Sequence, residues 1–405
     1  MNIIALAFAY LRRRWGQALL SIMVGALGIA AVATAYVGID ALPEAAERAW
    51  GGVDLVIGPK SSALDLVLCC VLHVSDPTGL VSQKAALAAA NNPFVRAAAP
   101  IALGDNIDGW RIVGTTPDIL SVYRADLAQG RVWTKILEAV VGARAAQSLH
   151  LKLGDSFVGA HGLAIGGELH SQFPYRVVGI LAPTGSVLDR LVLTDIETVR
   201  YIHKKHAEDE AEGTGMTEGQ IIANLPDAAT AVVASYRSPV AALLVPRLIN
   251  ANPTLTAASP TFEIARLMSY LRPLTVAAEA LGFLLVAIAA AGAAAGLMAT
   301  MNARTRDLAL LRALGAGPLS IAGVAFAEAA MIALAALLVG MGLSALLLVW
   351  GGDMLADSTG LLVTPHVEID DVLDLVAGAF VVAFVAALFP ALRAARTSIE
   401  ELLQS

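Results

Sequence analysis

The chain has 405 residues and is 57% hydrophobic, with a mean hydropathy of +0.70 and only 15% charged residues, against roughly 25% in an ordinary soluble domain. That deficit argues against a wholly soluble protein. A net charge of −7 with a pI near 5.5 argues against a nucleic-acid partner, because binding phosphates needs a basic surface.

Residues 1–16 begin with the apolar stretch Asn2–Leu11, too short to cross a bilayer, followed by Arg12, Arg13 and Arg14. This reads as a helix lying in the cytoplasmic interface with its arginines at the headgroups. A hydrocarbon core of about 30 Å takes about 20 apolar residues as a helix, and residues 17–40 meet that requirement as a first span. The basic start and Ala33-Thr34-Ala35 also fit a cleaved signal peptide. However, the apolar run is longer than a normal signal, and cleavage would leave an odd number of spans.

From residue 41 to 272 the texture is that of a mixed α/β domain. Cys69 and Cys70 are adjacent, a spacing at which a disulfide is strained, so they are expected to be small apolar packing residues with no disulfide or zinc role. Val53–Ile57 alternates like a strand and meets the turn signal Gly58-Pro59. Ser82–Asn91 predicts a helix capped by Ser82 and stopped by Asn91-Asn92-Pro93. Strands are expected at Trp110–Gly114, Ala139–Gly142, Ser156–Gly159, Tyr175–Leu181 and from Leu191, with a short helix over Ala143–Leu149. Changes of texture near Gly130 and Glu197 suggest a strand-rich subdomain, 131–198, inserted into an outer one.

The run from His203 to Gly213 is highly charged, and His203 and His206, three apart with acids following, have a spacing that can hold a divalent metal. A solvated charge run explains the same residues without an ion, so no metal is assigned. Thr261–Leu271 is expected to form a rigid stalk ahead of the second span.

The second span is residues 273–301, the third 319–350 and the fourth 372–392. All are rich in Ala, Gly, Leu and Val, and small residues let helices approach where lipid gives them no hydrophobic reason to associate; Gly292 and Gly296 in the second span have GxxxG spacing. Residues 302–318, between spans two and three, carry Arg304, Arg306 and Arg312; the tail, 393–405, carries Arg393 and Arg396. The loop at 351–371 has no Lys or Arg and five acids. The bias of basic residues sets both termini in the cytoplasm and 41–272 outside. Glu279 and Glu328 fall within spans, where an ionisable group is costly and marks a functional or interfacial position.

Three passages carry a family resemblance. Asn302–Ala316 is similar, through Arg306, Asp307, Arg312 and the Gly315-Ala316 turn, to the "R-x-x-E-x-x-x-x-R-x-x-G-A" segment of ABC transporter permeases of the MacB/FtsX type, with Asp307 or Leu308 standing where that family has Glu. Phe389–Leu403, with Arg393, Arg396 and Glu400, resembles the family's C-terminal "P-A-x-R-A-A-R-x-x-P-x-E-A-L", with Ser398 or Ile399 in place of the second proline. Val140–Asp155 and Tyr175–Leu181 resemble its periplasmic core.

The resemblance implies a four-helix transmembrane domain with a large α/β extracytoplasmic domain inserted between spans one and two. In such a protein Arg304, Arg306, Asp307, Arg312, Gly315, Ala316, Arg393, Arg396 and Glu400 form the coupling surface for a separate cytoplasmic ATPase. It further implies a permease homodimer in a bacterial inner membrane, with a periplasmic adaptor or substrate-binding protein as a further partner. On a helix Arg306, Ala309 and Leu310 share one face, an apolar stripe beside arginine that suits a groove on a soluble partner. The chain has no Walker A sequence, H-E-x-x-H or G-x-S-x-G, so ATP is expected to be held by the partner subunit and no cofactor by this one. Two alternatives stand beside this reading: a regulator of a cell-wall hydrolase that transports nothing, and a membrane-bound enzyme built on the His203/His206 region.

Overall fold

The computed structural model describes residues 3–163, 167–211, 227–303, 317–359 and 369–396. In chain order, α1 (Ile3–Arg13) and α2 (Trp15–Trp50) lead into β1 (Leu55–Pro59), α3 (Ala63–Cys70), β2 (Val81–Ser82), α4 (Gln83–Ala90), β3 (Val95–Ile107), β4 (Trp110–Thr115) and α5 (Asp118–Tyr123). Then come β5 (Leu127–Gly130), β6 (Glu138–Val141), α6 (Ala143–Ser148), β7 (Ser156–Phe157), β8 (Ala160–His161), β9 (Tyr175–Leu181), β10 (Val192–Asp195) and α7 (Ile196–Ala211). β11 (Ala228–Ala229), β12 (Ala231–Tyr236), α8 (Ala241–Asn250) and β13 (Leu255–Ala258) follow, and α9 (Pro260–Ala303), α10 (Pro318–Thr359) and α11 (Ile369–Arg396) close the chain. The chain divides into two compact units, one of residues 1–42, 271–352 and 364–405, the other of residues 43–270 and 353–363.

The first unit is helical. Among the described residues three helices are long and apolar enough to cross a membrane: α2, α9 over Pro260–Ala299 and α10 over Leu319–Ala356; α11 carries a shorter apolar stretch, Val376–Leu392. Their association follows from small residues. A Cβ on Gly28 of α2 would lie 2.8 Å from the Gly282 carbonyl oxygen and 2.9 Å from the Val286 amide of α9, so these two backbones touch. On the other side of α2, a Cβ on Gly340 of α10 would lie 2.8 Å from the Ala26 carbonyl oxygen, and Thr34 donates to Ser344 at 3.0 Å. The GxxxG pair of α9 also faces α2, but at ordinary distance: Cβ atoms on Gly292 and Gly296 would lie 3.7 Å from Ser21 and 3.6 Å from Gln17.

The second unit is built on one long sheet, in the order β13-β1-β12-β3-β4-β10-β6-β9-β5. β10, β6, β9 and β5 make up one end of it and join the rest through the parallel pair β4–β10, with Val192 opposite Ile112, while the short β8 pairs with β3. Local sequence explains several elements. Ser82 caps α4 by accepting from the Ala85 amide, and Asn91 closes it, as side-chain oxygens at an N-cap satisfy otherwise orphaned amides. β9, Tyr-Arg-Val-Val-Gly-Ile-Leu, buries alternate residues, the two-residue period of a strand with one face inward. β3 and β4 slip register between Leu103 and Asp105, leaving Gly104 as the extra residue of a bulge, a device that re-aims neighbouring side chains.

The main core gathers Val53, Leu66, Val113, Ile119, Val122, Leu188 and Leu193, each contributing roughly 1.5–3 kcal/mol by leaving water. Cys69 and Cys70 sit inside it, 0% and 1% exposed, unbridged, with the Cys70 thiol donating to the Cys69 sulfur at 3.3 Å. That hydrogen bond, with burial, pushes the Cys70 thiol well up. The same hydrogen bond lowers the Cys69 thiol, but both sulfurs are closed off from solvent, so both should resist a disulfide-exchange reagent in the native protein and react fully after denaturation, a result read directly from the released chromophore.

At the sheet's far end Arg131 grips Glu138 with two hydrogen bonds, at 2.6 and 2.8 Å, and the Thr134 amide donates to the same carboxylate at 2.9 Å. The Arg131 hydrogen bonds, with the backbone donors and against the cost of burial, hold Glu138 down to about 2. A depressed carboxylate stabilises the fold above its unfolded value of about 4.3 and loses that contribution as pH falls toward its folded value. Arg131 is half exposed, so water screens the pair and its share is small. We expect Glu138→Gln to lower thermal stability slightly near neutrality and to flatten its fall between about pH 4.3 and 2 by the same small amount.

Candidate functional site

Of the residues that the sequence marked for coupling to an ATPase, Arg304, Arg306, Asp307, Arg312, Gly315, Ala316 and Glu400 lie outside the described residues. Arg393 and Arg396 belong to the last turns of α11, and their side chains are likewise outside the description. The expected stalk at Thr261–Leu271 is the opening part of α9, which continues without a break to Ala303.

The ends of two long helices are seated in the core of the sheet unit. Ala46, Ala49 and Trp50 of α2 are 4%, 2% and 7% exposed, and Ile264 of α9 is 4% exposed, all in the cluster that holds Val53 and Val113; Leu267 and Met268 pack against it. The strands that follow α2 and precede α9 are hydrogen-bonded neighbours, β1 and β13, with Val56 opposite Ala258 and Pro59 opposite Leu255. Each helix also carries one internal proline, Pro43 in α2 and Pro273 in α9, close to where the chain passes between the two units. A proline removes one helix hydrogen bond and is the usual place for a helix to bend.

Of the two acids in apolar helices, Glu328 of α10 is 6% exposed and lines a recess with Tyr10, Arg14, Gln17 and Ser21. Glu279 of α9 is half-buried.

A cleft in the sheet unit is lined by His73, Trp110, Arg111 and Arg190. Arg111 donates to the Ser75 carbonyl at 2.9 Å, and the Arg190 guanidinium lies 5.4 Å from the centre of the Trp110 ring, within cation–π range. Burial, and then the Arg111 charge, push His73 down to about 3, so that it sits neutral beside two fixed cations.

Of the two histidines that the sequence marked as a weak metal pair, His206 has its side chain outside the described residues, and His203 is described. His203 belongs to a cluster assembled from three parts of the sheet unit. Asp105 follows the Gly104 bulge of β3 and is 0% exposed. His161 of β8 is Asp105's register partner. His170 follows the isolated bridge between Leu169 and Ala160, its amide donating to the Gly159 carbonyl at 2.9 Å. His203 Nε2 lies 3.6 Å and His170 Nε2 3.2 Å from Asp105 Oδ1. The His161 ring centre is 5.1 Å from that of His203 and 5.7 Å from that of His170. Burial and the Asp105 carboxylate together hold the nearby Tyr175 hydroxyl in its protonated form, well above a phenol's ordinary range. Sequence reasoning reached His203 and missed the other three, because 56, 9 and 33 positions separate successive members and no local spacing links them.

The family described as "MacB-like periplasmic core domain" matches residues 18–237, more than half of the chain, and "FtsX-like permease C-terminal" matches residues 280–399. No curated protein matches. Among solved structures, the extracellular domain of YknZ, a noncanonic ABC-type transporter from Gram-positive bacteria, is 12% identical and covers 51% of this chain and 98% of its own, with a TM-score of 0.30, too low for any structural argument. With both halves matched to one kind of transporter, and with apolar helices long enough to span a membrane, the chain belongs to the MacB/FtsX-like family of ABC transporter permeases.

Proposed function

We propose that this permease couples a separate cytoplasmic ATPase to movement of its external domain, and so drives export or extraction of a substrate at the cell envelope. The observation that carries the reading is the seating of α2 and α9 in one core, through Trp50 and Ile264. Helices anchored in this way pass their displacement to the sheet instead of dissipating it in a linker. In this reading α11 is a fourth span, both termini are cytoplasmic, and the protein works as a homodimer in the inner membrane. The 302–318 segment and the tail, through Arg304, Arg306, Asp307, Arg312, Gly315, Ala316, Arg393, Arg396 and Glu400, meet the ATPase. ATP is bound by the partner, and the external domain engages a substrate, an adaptor or a substrate-binding protein. Nucleotide state and domain position are then linked as differential stabilisation of two conformations.

The test is co-expression with the ATP-binding subunit encoded beside it. A stoichiometric complex that survives purification in detergent, and whose ATP hydrolysis exceeds that of the ATPase alone, supports the reading. Recovery of the chain without the ATPase overturns it.

A further inference from the structure

We propose that Asp105, His161 and His203 form a site for a divalent transition-metal ion of the zinc class in the external domain, with His170 holding Asp105 in place. The three ligand atoms lie within 4.8 Å of one another. Tetrahedral zinc, with ligand bonds of about 2.0–2.2 Å, sets its donor atoms about 3.3–3.5 Å apart, and His203 Nε2 to Asp105 Oδ1 is already 3.6 Å. Two imidazoles and one carboxylate are the donor set of a nitrogen-preferring ion and not of calcium or magnesium, which take oxygen shells.

The surroundings are built for charge. Asp105 is fully buried and its Oδ2 makes no hydrogen bond of good geometry, the Tyr175 hydroxyl interacting with the carboxylate from nearby. A buried carboxylate oxygen left without a partner is costly, and a cation beside it removes that cost. Its other oxygen faces His170 Nε2 at 3.2 Å, the arrangement by which an outer histidine orients a ligating carboxylate. The fold presents the three ligands through separate devices: the bulge at Gly104 turns Asp105, ladder pairing sets His161 opposite it, and α7 brings His203 over the bulge. His203 is in such close contact with Gly104 that any Cβ there would collide with its Nε2. Three protein ligands leave a coordination position open to water or to a group from outside. A bound ion would tie α7 to β3 and β8, adding to the hydrogen bonds that Thr198 and Arg200 already make to the sheet unit.

The experiment uses the full-length protein in detergent, stripped with a chelator, dialysed and titrated with zinc. The readouts are metal content, thermal midpoint and, with cobalt substituted, the visible d–d absorption of a tetrahedral nitrogen–oxygen site. We expect one zinc per chain and a raised midpoint, since an ion that binds only the folded state stabilises it. Asp105→Asn and His203→Ala should each lose the zinc, the midpoint rise and the cobalt spectrum. His170→Ala should weaken binding by about 10- to 100-fold, and His150→Ala, outside the cluster, should change nothing. Gly104→Ala keeps every ligand and displaces only the His203 ring, so its loss of affinity in a protein of unchanged circular dichroism separates coordination from misfolding. Less than one zinc per chain, or zinc retained by Asp105→Asn and His203→Ala, overturns the proposal and leaves the cluster a buried hydrogen-bond network.

Discussion

Reversing Arg306 and Arg312 together to glutamate is expected to strip the ATPase from the purified complex. Both residues lie in the short 302–318 segment, which carries three arginines, Arg304, Arg306 and Arg312. If they meet acids on the partner, each reversal replaces an attraction with a repulsion, and like charges brought together at an interface cost several kcal/mol. A loss of only about 2.7 kcal/mol would already weaken the complex on the order of 100-fold, enough for the ATPase to wash away during affinity purification. The variant should still insert and fold, because the remaining Arg304 and the basic tail at Arg393 and Arg396 keep the charge bias that sets orientation. Retention of the ATPase at wild-type stoichiometry would mean that the arginines serve topology alone. In that case the coupling assignment of Asp307, Gly315 and Ala316, which rests on the same resemblance, would fall with them.

The second large effect is expected inside the helical unit. Gly28→Leu places a side chain where a single Cβ already meets the Gly282 carbonyl oxygen at 2.8 Å. Those atoms are backbone and cannot rotate away, so α2 and α9 must separate. Overpacking of this kind typically costs about 1–3 kcal/mol, or roughly 2–10 °C in midpoint at this scale of domain. The loss of activity should be greater than the loss of stability, because α2 is also gripped from α10 through Gly340 and Ala26 and one displaced helix disturbs both contacts. Gly342→Leu on α10, where nothing lies within 4 Å of the added Cβ, is the control and should leave the midpoint within about 1 °C. Equal effects from the two substitutions would show that the Gly28–Gly282 approach is not what holds these helices together.

Much of this architecture was legible because its signals are local. Apolar length marked α2, α9 and α10; period-two alternation marked β9 at Tyr175–Leu181; and Ser82 and Asn91 bracketed α4. β3 was missed because its middle, Ala99-Pro100-Ile101-Ala102-Leu103, is buried on both faces, which removes the alternation that reveals a strand. The close helix contact was read at Gly292 and Gly296, whereas among the described residues closer approaches are at Gly28 with Gly282 and at Gly340 with Ala26. GxxxG spacing says which residues share a face, not which face meets a neighbour at shortest distance. The Asp105–His161–His203 arrangement has no sequence signal at all, since it depends on a one-residue bulge and on which strand lies beside β3.

The pairing of β1 with β13 has a mechanical consequence. The two strands run antiparallel, and the helices attach at the same end of the ladder, α2 ahead of Leu55 and α9 just after Ala258. A load that splays the helices apart would therefore meet the backbone hydrogen bonds one at a time, as in opening a zip, and the pair would yield at low force. A load that slides one helix along the other strains all of those bonds at once in shear, where the ladder is stiffest. In the coupling proposed above, such a joint would favour a piston-like stroke over a spreading one, which the core contacts of Trp50 and Ile264 alone would then resist.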